Sequence, residues 1–179
     1  MDERRILVHG VTGSGKTTAA RRISAATGVP WHSVDELTWE PGWVAVPEHE
    51  QRRRITDICA GETWLLDTAY GTWIDVPLAR VELIVALDYP RWFSLQRLVR
   101  RTLTRLVYQK AICNGNRETL LRTFSRESII AWHFRTFTRR RAQVAAWIAQ
   151  PEGPRVVRLT SSREAERWIA GLGDTADHV

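Results

Sequence analysis

The feature that most constrains this chain is the stretch from Gly10 to Thr17, which reads GVTGSGKT. Its pattern, G-x-x-x-x-G-K-[ST], is typical of a loop whose backbone N–H groups bind phosphate. An apolar run at 6–8 precedes it and an alanine-rich segment at 18–26 follows it, so the loop lies between a predicted strand and a predicted helix. We therefore predict a nucleotide-binding site. A glycine-rich turn with a chance lysine is the alternative.

Each residue type in this loop has a chemical reason. Glycines allow consecutive backbone N–H groups to face one anion, and the helix from Lys16 directs its positive end to the same point. We expect Lys16 to reach the β- and γ-phosphates of ATP, and the Thr17 hydroxyl to bind Mg²⁺. The predicted ATP-binding residues are Gly10, Thr12, Gly13, Ser14, Gly15, Lys16, Thr17 and Thr18.

Strands alternate with helices along the chain. Beyond the apolar run at 6–8, the predicted strands cover residues 29–34, 63–67, 81–87 and 156–160. This alternation predicts a parallel sheet with helices on both faces, and ligands of such sheets bind outside the carboxyl ends of the strands. We therefore expect the loop at 10–17, called the P-loop below, to lie along one edge of the sheet with Asp35, Asp67, Asp88 and Arg91.

Two of these acidic residues are candidates for distinct roles. Asp67 ends an apolar strand, as the Walker B carboxylate does, and is predicted to hold Mg²⁺ with Thr17. A carboxylate that caps a turn is the alternative for Asp67. Asp35 is predicted to bind an acceptor hydroxyl or to take its proton, with helix capping as the alternative. Thr68 stands where many motor ATPases have a glutamate that activates water, which argues against a motor.

The net charge of +6 is unevenly distributed. Residues 97–141 contain eleven arginines and one lysine against two glutamates, a local balance of +10, and the rest of the chain carries −4. A concentrated basic region beside a nucleotide site indicates a polyphosphate or nucleic-acid partner. Arg101, Arg105 and Arg117 are the predicted catalytic arginines, together with Lys16 and Asp35, although a solvated helix face is the alternative for each arginine.

Tryptophan and cysteine add two further expectations. Three of the nine tryptophans, Trp31, Trp39 and Trp43, flank the expected acceptor side, where they either stack on a ring or pack in the core. The two cysteines form no CxxC pair, which argues against a zinc site or a disulfide framework. With no apolar run of membrane-spanning length and no expected signal peptide, the predicted location is the cytoplasm, with no membrane partner.

Four stretches together resemble the adenylate-kinase-like P-loop proteins, and within them the group often called DNA topology modulation proteins. Besides the P-loop they are residues 32–43 (HSVDELTWEPGW), 64–70 (WLLDTAY) and 87–92 (LDYPRW). The resemblance implies a three-layer α/β/α P-loop NTPase fold, a five-stranded parallel sheet of order 2-3-1-4-5, and an arginine-rich helical lid. It also implies one kinase-like domain over 1–179, with an acceptor-binding segment at 31–61 and a lid region at about 97–141.

The leading functional hypothesis is a small-molecule kinase that transfers the γ-phosphate of Mg·ATP to an acceptor of nucleotide- or shikimate-kinase-like type. The alternative is an ATP-dependent nucleic-acid-binding or regulatory protein that uses the basic region as a phosphate track. A GTPase is disfavoured because the chain's two lysines, Lys16 and Lys110, do not form the guanine-reading [NT]KxD motif. The identity of the acceptor and the oligomeric state are left open by the sequence.

Overall fold

The computed structural model describes residues 2–108 and 129–173, without the side chains of residues 102, 105–108 and 129–135. Its helices are α1 Lys16–Thr27, α2 Val34–Thr38, α3 Glu48–Ala60, α4 Asp75–Leu78, α5 Arg91–Tyr108, α6 Ile129–Ile148 and α7 Ser162–Gly173. Its strands are β1 Arg5–Gly10, β2 Trp31–His32, β3 Trp39–Glu40, β4 Val44–Ala45, β5 Trp64–Leu66, β6 Leu83–Leu87 and β7 Arg155–Leu159. The elements thus alternate much as the sequence predicts.

The main sheet has five strands in the order β2-β5-β1-β6-β7, and all neighbours are parallel. Counted alone, these five strands have the predicted order 2-3-1-4-5. The labels differ because β3 and β4, which the sequence analysis did not predict, form a separate antiparallel hairpin. β2 lies at the edge of the sheet, where Pro30 at its start removes no ladder hydrogen bond.

Both faces of the sheet are covered by helices. Side chains of β1 alternate between the two: Ile6 and Val8 pack with α1 and α7, whereas Leu7 packs with α3 and α6. All three are fully buried. This alternation follows from the two-residue period of a strand, and it produces the predicted three-layer α/β/α arrangement.

The predicted second strand, residues 29–34, is only partly correct. The strand is restricted to Trp31–His32, and the chain then enters the short helix α2. Asp35 therefore lies in the first turn of a helix rather than at the end of a strand. A short strand is sufficient here because β2 pairs with β5 alone. Within the described ranges, the helices are too short or too polar to pass through a bilayer.

Candidate functional site

The P-loop connects β1 to α1, and helix α5 packs directly over it. Gly13 and Gly15 have φ values of 86° and 93°, a left-handed conformation that favours glycine. A Cβ at Gly13 would lie 2.4 Å from the Ser94 carbonyl oxygen, and one at Gly15 would lie 3.0 Å from a guanidinium nitrogen of Arg97. The glycines therefore serve two purposes: they shape the loop, and they allow the basic helix α5 to approach it.

Lys16 lies at the centre of a group of charged residues. Its ammonium donates to the Val11 carbonyl at 3.1 Å. Burial lowers the pKa of Lys16 to about 8; Arg140 and Arg101 lower it too, while Asp35 and Asp67 act in the opposite direction. Three predicted site residues from separate segments thus affect the pKa of the Lys16 amine: Asp35, Asp67 and Arg101.

Asp67 follows β5 and is almost completely buried, with 4% of its surface exposed. Its Oδ1 accepts the Val34 N–H at 3.0 Å, and the Thr17 hydroxyl lies close enough to the same carboxylate to lower its pKa. Burial raises the pKa of Asp67, and the nearby Asp35 raises it further. The Thr17 hydroxyl and the Asp67 carboxylate are therefore adjacent, as their predicted roles require.

This pair fits the chemistry of a Mg²⁺ site. Both groups are hard oxygen donors, and Mg²⁺ is commonly bound by one or two protein oxygens with the rest of its shell supplied by phosphates and water. Within residues 2–108 and 129–173, no cluster of three or more His, Cys, Asp or Glu side chains offers a metal cage made of protein alone. Thr17 and Asp67 would accordingly hold Mg²⁺ together with the nucleotide.

Asp35 lies at the start of α2 and is exposed. The Tyr70 hydroxyl donates to Asp35 Oδ1 at 2.7 Å. Burial, together with the neighbouring carboxylate, raises the pKa of Tyr70, so its phenol stays protonated at neutral pH. Tyr70 was part of the resemblance, but no role was predicted for it.

A further residue that sequence reasoning missed is Arg140 of α6. Its guanidinium donates to the Ala69 carbonyl at 3.2 Å and lies 3.3 Å from His9 Nδ1. His9 is fully buried, and burial followed by the charges of Arg140 and Lys16 lowers its pKa well below the ordinary value. The run Arg139-Arg140-Arg141 lay inside the predicted lid region, but nothing in the sequence separated Arg140 from its neighbours.

The remaining predicted site residues have more varied placements. The Ser14 hydroxyl and N–H both donate to the Val11 carbonyl, at 2.8 and 3.2 Å, so they bind the loop itself. Thr18 is exposed in the first turn of α1. Arg101 is exposed on α5, close enough to act on Lys16. Arg117 and the side chain of Arg105 lie outside the described residues, so their predicted catalytic roles stay predictions.

Asp88 lies on the expected edge but forms a different contact. Its carboxylate is bound by Arg141 at 2.8 Å and by Arg158 at 2.6 Å. These ion pairs join the end of β6 to α6 and β7. Asp88 therefore ties the helix that carries Arg140 to the sheet, on the far side of the P-loop from Asp35 and Asp67.

Comparison with solved structures shows that the chain has a known fold. The chain is similar to shikimate kinase from Acinetobacter baumannii in complex with shikimate, with 16% identity, coverage of 99% of this chain and 97% of that chain, and a TM-score of 0.57. It is also similar to shikimate kinase from Bacteroides thetaiotaomicron, with 15% identity, coverage of 97% and 98%, and a TM-score of 0.56. The chain shares their P-loop α/β fold.

A third similar structure is a gluconokinase from Sinorhizobium meliloti 1021, with 17% identity, coverage of 98% of this chain and 96% of that chain, and a TM-score of 0.52. No protein-family profile matches the chain. No curated protein matches it either. The resemblance to the DNA topology modulation group therefore stays a prediction from the four sequence stretches.

Proposed function

We propose that this protein is a small-molecule kinase, a phosphotransferase that moves the γ-phosphate of Mg·ATP to a hydroxyl group of its acceptor. The observation that carries the proposal is that Asp35 and Asp67 both lie close enough to the Lys16 ammonium to raise its pKa. One carboxylate is buried beside the P-loop threonine, and the other is exposed on the side predicted to bind the acceptor. This division suits a site for two substrates, and the fold shared with a gluconokinase and with shikimate kinases supports the proposal.

The proposed reaction assigns a part to each of these residues. The acceptor oxygen attacks the γ-phosphorus while the bond from that phosphorus to the β–γ bridging oxygen breaks, and ADP leaves with the electron pair. Asp35 accepts the proton of the acceptor hydroxyl. Lys16 and Arg140 stabilise negative charge on the phosphoryl oxygens. Bound Mg²⁺, held through Thr17 and Asp67, would neutralise phosphate charge.

Contacts of three arginines in the basic region favour a kinase over a nucleic-acid-binding protein. Among the described residues, Arg97 lies against Gly15, Arg140 donates to the Ala69 carbonyl, and Arg141 pairs with Asp88. These three arginines contact the nucleotide loop or the protein itself, whereas Arg100 and Arg101 are exposed on α5. A phosphate track for nucleic acid would instead present its cations outward along one surface.

The proposal is tested by ADP release from the full-length protein with Mg·ATP and a panel of hydroxyl acceptors. The panel contains D-gluconate, shikimate, D-ribose, glycerol, thymidine and AMP. We expect one acceptor class to raise turnover at least about tenfold over basal hydrolysis, and Lys16→Met to remove at least about a hundredfold of that rate. Turnover that no acceptor lifts above the Lys16→Met variant would refute the kinase. DNA or RNA affinity that falls steeply with salt would then favour the alternative.

A further inference from the structure

The hydrogen bond from Tyr70 to Asp35 joins two segments that are distant in sequence. Asp35 belongs to α2, and Tyr70 lies in the loop that follows β5. Tyr70 donates to Oδ1 alone, at 2.7 Å, and no side chain in the described part of the chain is seen to donate to Oδ2. Because one carboxylate oxygen is bound, the plane of the carboxyl group is set, and Oδ2 stays available to a ligand hydroxyl.

Tyr70 has further polar and aromatic neighbours. The side chains of Thr38 and Trp39 lie close enough to the Tyr70 oxygen to lower its pKa, against the larger effects of burial and Asp35. The Tyr70 ring also packs against Trp73, with ring centroids 5.5 Å apart. Because an ionised carboxylate only accepts hydrogen bonds, the Tyr70 hydroxyl proton points toward Asp35.

The hairpin β3–β4 explains how Trp39 is fixed. Trp39 and Trp43 pack edge to face, with centroids 5.8 Å apart and planes at 77°. Trp43 has a φ of 61°, a left-handed conformation that a bulky residue seldom adopts. The turn thus folds the second tryptophan back onto the first. Residues 39–43 (WEPGW) therefore have a structural role, which is to hold Trp39 in place.

We propose that Tyr70, supported by the Trp39–Trp43 hairpin, is a positioning residue that orients Asp35 toward the acceptor hydroxyl. This inference rests on the proposed kinase function. Oδ1 of Asp35 serves as the anchored oxygen and Oδ2 as the one that meets the substrate. Tyr70 acts through Asp35 and does not contact the transferring phosphate.

A purely structural role for Tyr70 makes a different prediction from a positioning role. A structural tether between α2 and the loop after β5 would affect stability whatever residue occupies position 35. A positioning residue loses its effect once the carboxylate that it orients has been removed. A double-mutant cycle between Tyr70 and Asp35 therefore separates the two readings.

The experiment measures kcat and KM of the full-length protein with the most active acceptor of the panel above. We expect Tyr70→Phe to lower kcat for the acceptor reaction about tenfold to a hundredfold, with the KM for ATP changed less than about twofold. Asp35→Asn is expected to lower it further, and Tyr70→Phe added to Asp35→Asn to change it less than about twofold. Trp39→Phe, which keeps the ring but removes the N–H, is expected to lower kcat in the same direction by a smaller factor.

The matched control is Tyr89→Phe, which removes the hydroxyl of a buried tyrosine that does not contact Asp35 in the described structure. It should leave kcat within about twofold of the unmodified protein. Full additivity of Tyr70→Phe and Asp35→Asn, or an equal loss from Tyr89→Phe, would overturn the positioning role while the kinase proposal stands. Absence of acceptor-dependent turnover in the unmodified protein would overturn both.

Discussion

His9 and Arg140 are 131 positions apart in sequence, yet the Arg140 guanidinium lies 3.3 Å from Nδ1 of His9. Because arginine only donates, Nδ1 must accept, and the neutral ring carries its proton on Nε2. The Trp147 ring packs edge to face on the same imidazole at 4.7 Å. A buried, uncharged histidine thus anchors a cation beside the P-loop lysine.

Substitution of Arg140 is expected to impair catalysis more than folding. We predict that Arg140→Met lowers kcat/KM about a hundredfold, because a fixed charge beside the γ-phosphate is lost. Arg140→Lys should recover only part of the lost kcat/KM, since a lysine keeps the charge but replaces the planar guanidinium with a compact ammonium. Steady-state kinetics test this, with the exposed Arg22 of α1 as control. A loss from Arg22→Met equal to that from Arg140→Met would contradict a specific role.

The lowered pKa of Lys16, about 8, predicts proton uptake when Mg·ATP binds. At pH 7 the amine is already protonated, so uptake from this group should be small. At pH 9 it is mostly neutral in the free protein, and the phosphates draw a proton onto it, so uptake should approach one. Above about pH 8 the dissociation constant should rise by up to about tenfold per pH unit.

Calorimetry in buffers of different ionisation enthalpy measures that proton uptake. Lys16→Arg is the control, because an arginine stays charged throughout this range. The predicted uptake at pH 9 should disappear in this variant. The same uptake in both proteins would assign the proton to a different group.

Thr17 and Asp67 are predicted to couple nucleotide affinity to Mg²⁺. Asp67→Asn can still accept the Val34 N–H, so the fold should persist, but the charge that attracts the cation is lost. We expect the affinity for ATP to become nearly independent of Mg²⁺ and kcat to fall at least about a hundredfold. Mg²⁺ titrations of ATP binding measure this. Thr17→Ser should keep the metal dependence and Thr17→Val should lose it.

Gly13 and Gly28 form a matched pair for the packing of α5 on the P-loop. Both have positive φ, but a Cβ at Gly28 has open space, whereas one at Gly13 would meet the Ser94 carbonyl and Leu98. Gly28→Ala should lower the free energy of unfolding by about 1–2 kcal/mol. Gly13→Ala should cost at least about 3 kcal/mol, because backbone must move. Urea unfolding at unchanged m-value tests this, and equal losses would refute the contact.

The P-loop and the elements on either side of it were largely predictable. Glycine spacing, the apolar strand before it and the helix after it are local signals, and they located Lys16 and Thr17. The rule that ligands bind at the carboxyl ends of parallel strands brought Asp35 and Asp67 to the same edge. Strand periodicity and strand order could be predicted without knowledge of individual contacts. They depend on which residues are apolar and on the direction of the crossovers.

The sequence by itself determined the P-loop, the alternation of strands and helices, and the residue types available to bind phosphate and metal. Only the tertiary structure decided which of many arginines lies beside His9, and that the Tyr70 hydroxyl donates to Asp35. Arg139, Arg140 and Arg141 have the same chemistry, and each points in a different direction because a helix turns about 100° per residue. The contacts that distinguish them, with Gly71, His9 and Asp88, come from residues far away along the chain. No local sequence pattern predicts such contacts.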